Sequence, residues 1–194
     1  MKKIKIDKKK TILNTVISML AIGLSFLLDK AAINIASMIQ YPFLATSFYL
    51  LTMLGEWYVF MWIALFLTVI LMINRKPIAA FIATLAVTTG MSVLLKAIIN
   101  RPRPFQALHT SSVIDAGSSS FPSGHAMIFF CMIPLMSKNF PKTKILFWIV
   151  AILVALSRVY FNVHYLSDVV AGAICGYAIG WIFMNVGERY EWKY

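Results

Sequence analysis

Charge is what this sequence has least of. Only 13% of its 194 residues are Asp, Glu, Lys or Arg, against 60% hydrophobic residues and a mean hydropathy of +0.80. An ordinary soluble domain carries about 25% charged and about 45–50% apolar residues. The shortfall excludes a soluble globular enzyme and a disordered chain. Acids are the scarcest, seven against eighteen Lys and Arg, for a net charge of +11. A basic excess can mark nucleic-acid binding. Here, however, six of the eighteen basic residues stand in the first ten positions, and most others fill short gaps between apolar runs. No nucleic-acid partner is expected. Cysteine is also rare: Cys131 and Cys175 both lie in apolar stretches, so they read as small packing residues and imply no disulfide framework. No repeat or low-complexity linker divides the chain, which reads as a single domain. What remains is a membrane protein whose charges mark sidedness.

A spanning helix needs about 20 mostly apolar residues. Six such runs are expected, near 11–28, 56–73, 78–99, 123–136, 145–158 and 165–186. The first follows a lysine-rich start, as in a secretory signal. It exceeds the ~7–15 residues of a signal core and no small-residue cleavage site follows, so it reads as a retained helix. Residues 29–55 contain Asp29, Lys30, Asn34, Gln40 and Pro42 and read as an interfacial segment leading into the second span. The predicted organisation is therefore all-α: a basic cytoplasmic stretch at 1–10, a six-helix body at 11–186 and a tail at 187–194. The fourth and fifth runs are short, with polar outer ends, which a bilayer tolerates only where they line an enclosed, watered cavity.

An even number of spans places both termini on one side. Thirteen of the eighteen basic residues fall on that side, which the positive-inside rule makes cytoplasmic. The exceptions are Lys30, Lys96, Arg101, Arg103 and Arg158. Four of them cluster around the loops after the third and fifth spans. Cations that break the rule beside apolar helices mark a functional site, here extracytoplasmic in a multi-pass protein of the cytoplasmic membrane.

Three short segments hold nearly all the polar chemistry: 96–104, leaving the third span; 121–125, opening the fourth; and 157–168, joining the fifth to the sixth. All three lie at the outer face, so they can converge. Lys96, Arg103 and Arg158 are three cations with one nearby acid, Asp168. Such a cluster needs an anion, and guanidinium forks suit phosphate oxygens while lysine adds a point charge. Pro122-Ser123-Gly124 before an apolar run reads as a helix start, in which Ser123 caps and Gly124 lets a ligand approach the backbone. The free N–H groups there form an anion seat. His164 and Asp168 are four apart and share a helix face. A carboxylate on one ring nitrogen fixes the tautomer and makes the other a nucleophile. His125, across the seat, is placed to protonate a departing oxygen.

Lysine, six residues, Arg-Pro (Lys96, Arg103, Pro104), then Pro-Ser-Gly-His (Pro122, Ser123, Gly124, His125), then Ser-Arg, five residues, His, three residues, Asp (Ser157, Arg158, His164, Asp168) resemble the signature of the type 2 phosphatidic acid phosphatase (PAP2) superfamily, without departure in any motif. The resemblance implies a metal-independent integral-membrane lipid phosphatase with a six-helix, haloperoxidase-like core and no cofactor. It also implies a phosphohistidine intermediate on His164, with Asp168 as its partner and His125 as acid. Lys96, Arg103, Ser123, Gly124 and Arg158 would hold the phosphate. The substrate would be a membrane lipid phosphate such as phosphatidylglycerophosphate, phosphatidate or undecaprenyl pyrophosphate. A lipid phosphotransferase using the same site is the rival reading. A transporter would need paired inverted repeats and broken helices, which the sequence does not display.

Other residues carry weaker signals. Arg101 also precedes proline and could stand in for Arg103; it is read either as a contact to a headgroup or second phosphate, or as a solvated side chain. His109 and Asp115 read as loop and turn residues. Glu56, beside Trp57 and Tyr58, marks the outer interface or faces the site. Gly172, Gly176 and Gly180 recur every four residues, a spacing that permits close helix approach, here within the body rather than between two copies. None of the motifs specifies an oligomeric state.

Overall fold

The computed structural model of the chain describes residues 8–73, 78–108, 114, 117 and 119–189. Residues 74–77 with Arg75 and Lys76, His109, Asp115 and the charge-bearing stretches 1–7 and 190–194, on which part of the sidedness reading rests, lie outside the described residues. The described chain forms eight α-helices: α1 (Lys8–Met38), α2 (Pro42–Met53), α3 (Trp57–Ile73), α4 (Ile78–Ile99), the four-residue α5 (Pro104–Ala107), α6 (Gly124–Asn139), α7 (Lys144–Tyr160) and α8 (Leu166–Arg189). The all-α expectation holds, with no strand among the described residues.

Four helical stretches are long and apolar enough to cross a membrane: Lys9–Met38, Ile78–Ala107, Pro141–Tyr160 and Leu166–Gly187. The α2–α3 pair, bent by 59°, raises the number to five if it counts as one span. The expected six are therefore not all met by length. The shortfall is α6, whose sixteen residues rise only about 24 Å. It sits at the centre of the bundle, packed by α4, α7 and α8, with ten residues buried. A helix wrapped by others need not match the hydrocarbon thickness. Conversely, large apolar side chains on the outer helices stand free, among them Leu27 (80% exposed), Phe43 (84%), Trp62 (72%) and Ile73 (76%). Apolar surface on this scale belongs in lipid, and the chain is a multi-pass membrane protein.

The expected break after residue 28 is corrected. The first helix runs on to Met38 because Asp29, the charge that should have ended it, is buried and paired with Arg101. Within 29–55, the chain continues α1 and then forms α2.

The tightest seam joins α8 to α6. A Cβ on Gly176 or Gly180 would collide with the carbonyl oxygens of Met127 and Cys131, and one on Gly172 would press on that of Ser123. The glycine stripe thus packs within the body, backbone against backbone. Two asparagines close helices in the left-handed conformation, Asn100 (φ 44°) after α4 and Asn162 (φ 54°) after α7, as asparagine does at helix ends. The second turn returns the chain so that the N–H groups of Val163 and His164 both donate to Arg158 O at 3.2 Å. Three segments that are far apart in the sequence are thereby gathered at one end of the bundle: the end of α4, the start of α6 and the α7–α8 turn.

Candidate active site

Each cation in that cluster is anchored by a neutral partner. Lys96, in the last turn of α4, donates to Ser119 O at 3.0 Å. Arg103 is buried; its Nε donates to Gly117 O at 2.5 Å and its Nη1 to Val163 O at 2.7 Å. Arg158 is buried at the end of α7, donates through Nη1 to Thr52 Oγ1 of α2, and has a buried Nε without a hydrogen-bond partner. Lys96 lies within electrostatic reach of both arginines and of Asp168. Three cations whose hydrogen bonds run to carbonyls and a hydroxyl outnumber the acids within reach, Asp168 and Glu56, and a phosphate is the kind of anion that guanidinium forks fit.

His164, in the α7–α8 turn, is 2% exposed. Its Nδ1 lies 3.5 Å from Asp168 Oδ2, a facing distance rather than a formed hydrogen bond, and its Nε2 lies 3.3 Å from Arg103 Nη1. Burial, reinforced by Arg158, Arg103 and Lys96, holds this imidazole well below the ordinary histidine value of 6.5. It is therefore neutral at pH 7 and retains a lone pair. Asp168 Oδ2 also accepts from Tyr165 N–H at 2.9 Å.

Ser123 caps α6 as expected, accepting from Ala126 N–H at 3.5 Å, and its own N–H donates to Asp168 O at 3.0 Å. Gly124 faces Ser92, whose Oγ would lie 3.2 Å from an added Cβ. His125 follows in the first turn, within electrostatic reach of His164, Arg158 and Lys96. Its Nε2 lies 3.9 Å from Glu56 Oε1 and has no hydrogen-bond partner. The ring rests directly on Gly55, where any Cβ would overlap it.

The structure thus brings together Lys96, Arg103, Ser123, Gly124, His125, Arg158, His164 and Asp168. It adds Glu56, which faces the site. Arg101 is neither a solvated side chain nor free to take a headgroup: it is clamped between Asp29 and Asp168, because two carboxylates are the strongest partners a guanidinium can find there. Several contributors escaped the sequence reading. Asp29, Ser167, Thr52, Ser119 and Ser120 are all buried at or beside the site. Asp29 alone carried a usable signal, an ionisable residue in an apolar helix, which by default marks function.

Residues 77–192 match the family model of the PAP2 superfamily. The sequence is 31% identical over 110 residues to phosphatidylglycerophosphatase B of Bacillus subtilis (strain 168), covering 51% of this chain and 52% of that one. It is 33% identical over 112 residues to lipid A 1-phosphatase of Rhizobium etli, covering 54% and 47% respectively. The chain spans about half the length of the curated relatives it matches. A crystal structure of the transmembrane PAP2 type phosphatidylglycerolphosphate phosphatase from Bacillus subtilis shares the fold, with a TM-score of 0.76 and 21% identity over 92% of this chain and 96% of that one.

Proposed function

The chain belongs to the PAP2 superfamily, and from that premise we propose that it is a metal-independent lipid phosphatase acting through a phosphohistidine. In this reading a membrane lipid presents its terminal phosphoryl group to Lys96, Arg103, Arg158, the Ser123 hydroxyl and the Gly124 N–H. The lipid tails stay in the bilayer. His164 Nε2 attacks phosphorus in line, forming an N–P bond as the P–O bond to the lipid breaks. His125 delivers a proton to the departing oxygen. Water then attacks phosphorus, giving its proton to His125 while the N–P electron pair returns to Nε2, and inorganic phosphate leaves. Clustered cations answer the main demand of phosphoryl transfer, which is to stabilise charge on the equatorial oxygens.

The observation that most supports the reading is a neutral, buried imidazole whose Nε2 faces Arg103 Nη1 at 3.3 Å, inside a cluster of three cations. Phosphatidylglycerophosphate, phosphatidate and undecaprenyl pyrophosphate all present such a group. The names of the relatives, a phosphatidylglycerophosphatase and a lipid A 1-phosphatase, favour a lipid phosphate. The proposed topology counts α2–α3 as one bent crossing and α6 as a short central one. That gives six crossings, cytoplasmic termini and a site at the outer face of the cytoplasmic membrane.

The test is phosphate release from those three purified lipids in chelator, with wild type and His164→Ala. Release that resists chelator and vanishes in the variant is expected. A strict need for added divalent metal overturns the mechanism, and loss of the substrate's phosphoryl group only when an acceptor lipid is supplied, with that group recovered on the acceptor instead of as free phosphate, makes the protein a phosphotransferase. Vanadate, which mimics pentacoordinate phosphorus, is expected to inhibit competitively.

A further inference from the structure

Asp168 is held by a network that the phosphatase reading leaves unused. Arg101 Nη1 donates to Asp168 Oδ1 at 2.6 Å and to Ser167 Oγ at 2.7 Å, while its Nη2 donates to Asp29 Oδ2 at 2.8 Å. Asp29 in turn accepts from Ser167 N–H at 2.8 Å and Ser167 Oγ at 2.6 Å. A carboxylate from α1 thereby satisfies an N–H of the first turn of α8, a donor with no partner inside its own helix. The guanidinium lies 3.8 Å from the Tyr165 ring centroid and 5.1 Å from that of Phe26. Asp29 and Asp168 are both buried, so this is one arginine shared by two desolvated carboxylates.

The arithmetic of charge gives the arrangement a purpose. If Arg101 faced Asp168 alone, the pair would be neutral and the field of Asp168 at His164 would be largely cancelled. With Asp29 on its other fork, Arg101 fixes the orientation of Asp168 while the trio keeps one net negative charge. The groups facing the Asp168 carboxylate are then Arg101 from the α4–α5 link, Asp29 from α1 through that arginine, His164 and Tyr165 from the α7–α8 turn, the Ser120 side chain ahead of α6, and Lys96 from α4.

We propose that Asp29 and Arg101 are positioning residues for the reaction. Arg101 sets the geometry of the Asp168–His164 pair, and Asp29 offsets the arginine so that Asp168 keeps the negative field that favours phosphorylation of His164. This rests on the phosphatase reading. At metal sites, substituting a residue that orients a liganding histidine costs about 10–100-fold, and a loss of that order is expected for this catalytic histidine.

The experiment measures lipid phosphate release as a function of pH for wild type, Asp29→Asn, Arg101→Gln and the double variant. All are purified in detergent and compared after confirming cooperative unfolding. Asp29→Asn is expected to lower kcat about 10–100-fold with KM nearly unchanged, and to move the acid limb to lower pH. Arg101→Gln moves that limb to higher pH, since a cation is removed. Adding Arg101→Gln to Asp29→Asn restores part of the lost kcat, because the uncompensated cation is gone. If both single variants move the limb in the same direction, or the double variant loses at least the product of the two single losses, the pair is only a structural tie and the proposal fails. Full activity in Asp29→Asn also overturns it. Should Asp29→Asn not fold, Ser167→Ala cuts the hydroxyl bridge with both charges retained; a kcat loss of several-fold at constant KM is expected, and no loss overturns the proposal. Wild type that releases no phosphate from any lipid, or an active His164→Ala, refutes the phosphatase reading instead, so the two failures are distinguishable.

Discussion

His164 and His125 stand on opposite sides of one cationic centre, and the protein treats them differently. On the His164 side, the flanking groups are tied down: Asp168 accepts from Arg101 and Tyr165, and Arg103 bonds Gly117 and Val163. The turn itself is locked by paired N–H bonds to Arg158 O. On the His125 side, the ring bonds the Thr52 backbone and rests on Gly55 at the α2–α3 bend, and it faces Glu56 across 3.9 Å with no hydrogen bond on its Nε2. The contrast follows the demands of the two steps. An attacking nitrogen must meet phosphorus along one line, whereas a proton donor must serve leaving groups of different bulk. Rigidity is concentrated where direction matters.

The strongest challenge to this contrast is to remove each ring in turn. His164→Ala is expected to cost about 10⁴-fold or more in kcat, as losing a nucleophile does in other covalent enzymes. His125→Ala should cost about 10²–10⁴-fold. Its deficit should shrink with a nitrophenyl phosphate, whose leaving group needs no proton. Phosphate-release assays on both substrates check this; equal losses on both, insensitive to the leaving group, would erase the distinction.

Acid titration sharpens it further. Because burial and three cations hold His164 well below 6.5, the nucleophile protonates only well below that value. The acid limb of kcat/KM should lie there too. Arg158→Gln removes one of those cations, so the His164 value rises and the limb moves to higher pH, along with a loss of about 10²–10³-fold in kcat from weaker phosphate stabilisation. A limb that stays put in the variant would detach Arg158 from the nucleophile.

The seam beneath the rigid side offers a stability test. Gly176→Leu forces a side chain into the Met127 carbonyl and should cost about 1–3 kcal/mol, occasionally more, read as a lower Tm in detergent. The smallest effect is expected on the loose side. Glu56→Ala should alter the ratio of kcat/KM values among lipid headgroups by a few-fold, while leaving the acid limb set by His164 in place. Identical ratios would remove Glu56 from substrate selection.

What could be read from the chain alone divides along the same line. The proposed nucleophile, its partner and the proposed phosphate ligands lie in short motifs where spacing is local: His164 and Asp168 four apart, Ser123 opening a helix. The ends of α4 were legible for the same reason, since an apolar run between polar stops needs no distant information. Asp29 was not legible as a tie, because its meaning depends on Arg101, 72 residues away. A lone acid in a hydrophobic run reads as an interruption until its partner is known. The same blindness ended the first helix ten residues early and left Arg101 undecided. Nor could α6 be measured against a membrane, because its environment is other helices rather than lipid.

The clamp on Arg101 also ties the site to chain outside the portion matched to the family. The portion shared with the family starts at residue 77, yet Asp29, Thr52 and Glu56 reach the centre from upstream of it. Cutting the chain back to the matched portion would take Thr52 from the buried Arg158, leave Arg101 with one carboxylate instead of two, deprive a histidine of its facing acid, and uncover the first turn of the last helix. A minimal catalytic fragment drawn from homology alone would keep all three motifs and still be half a site.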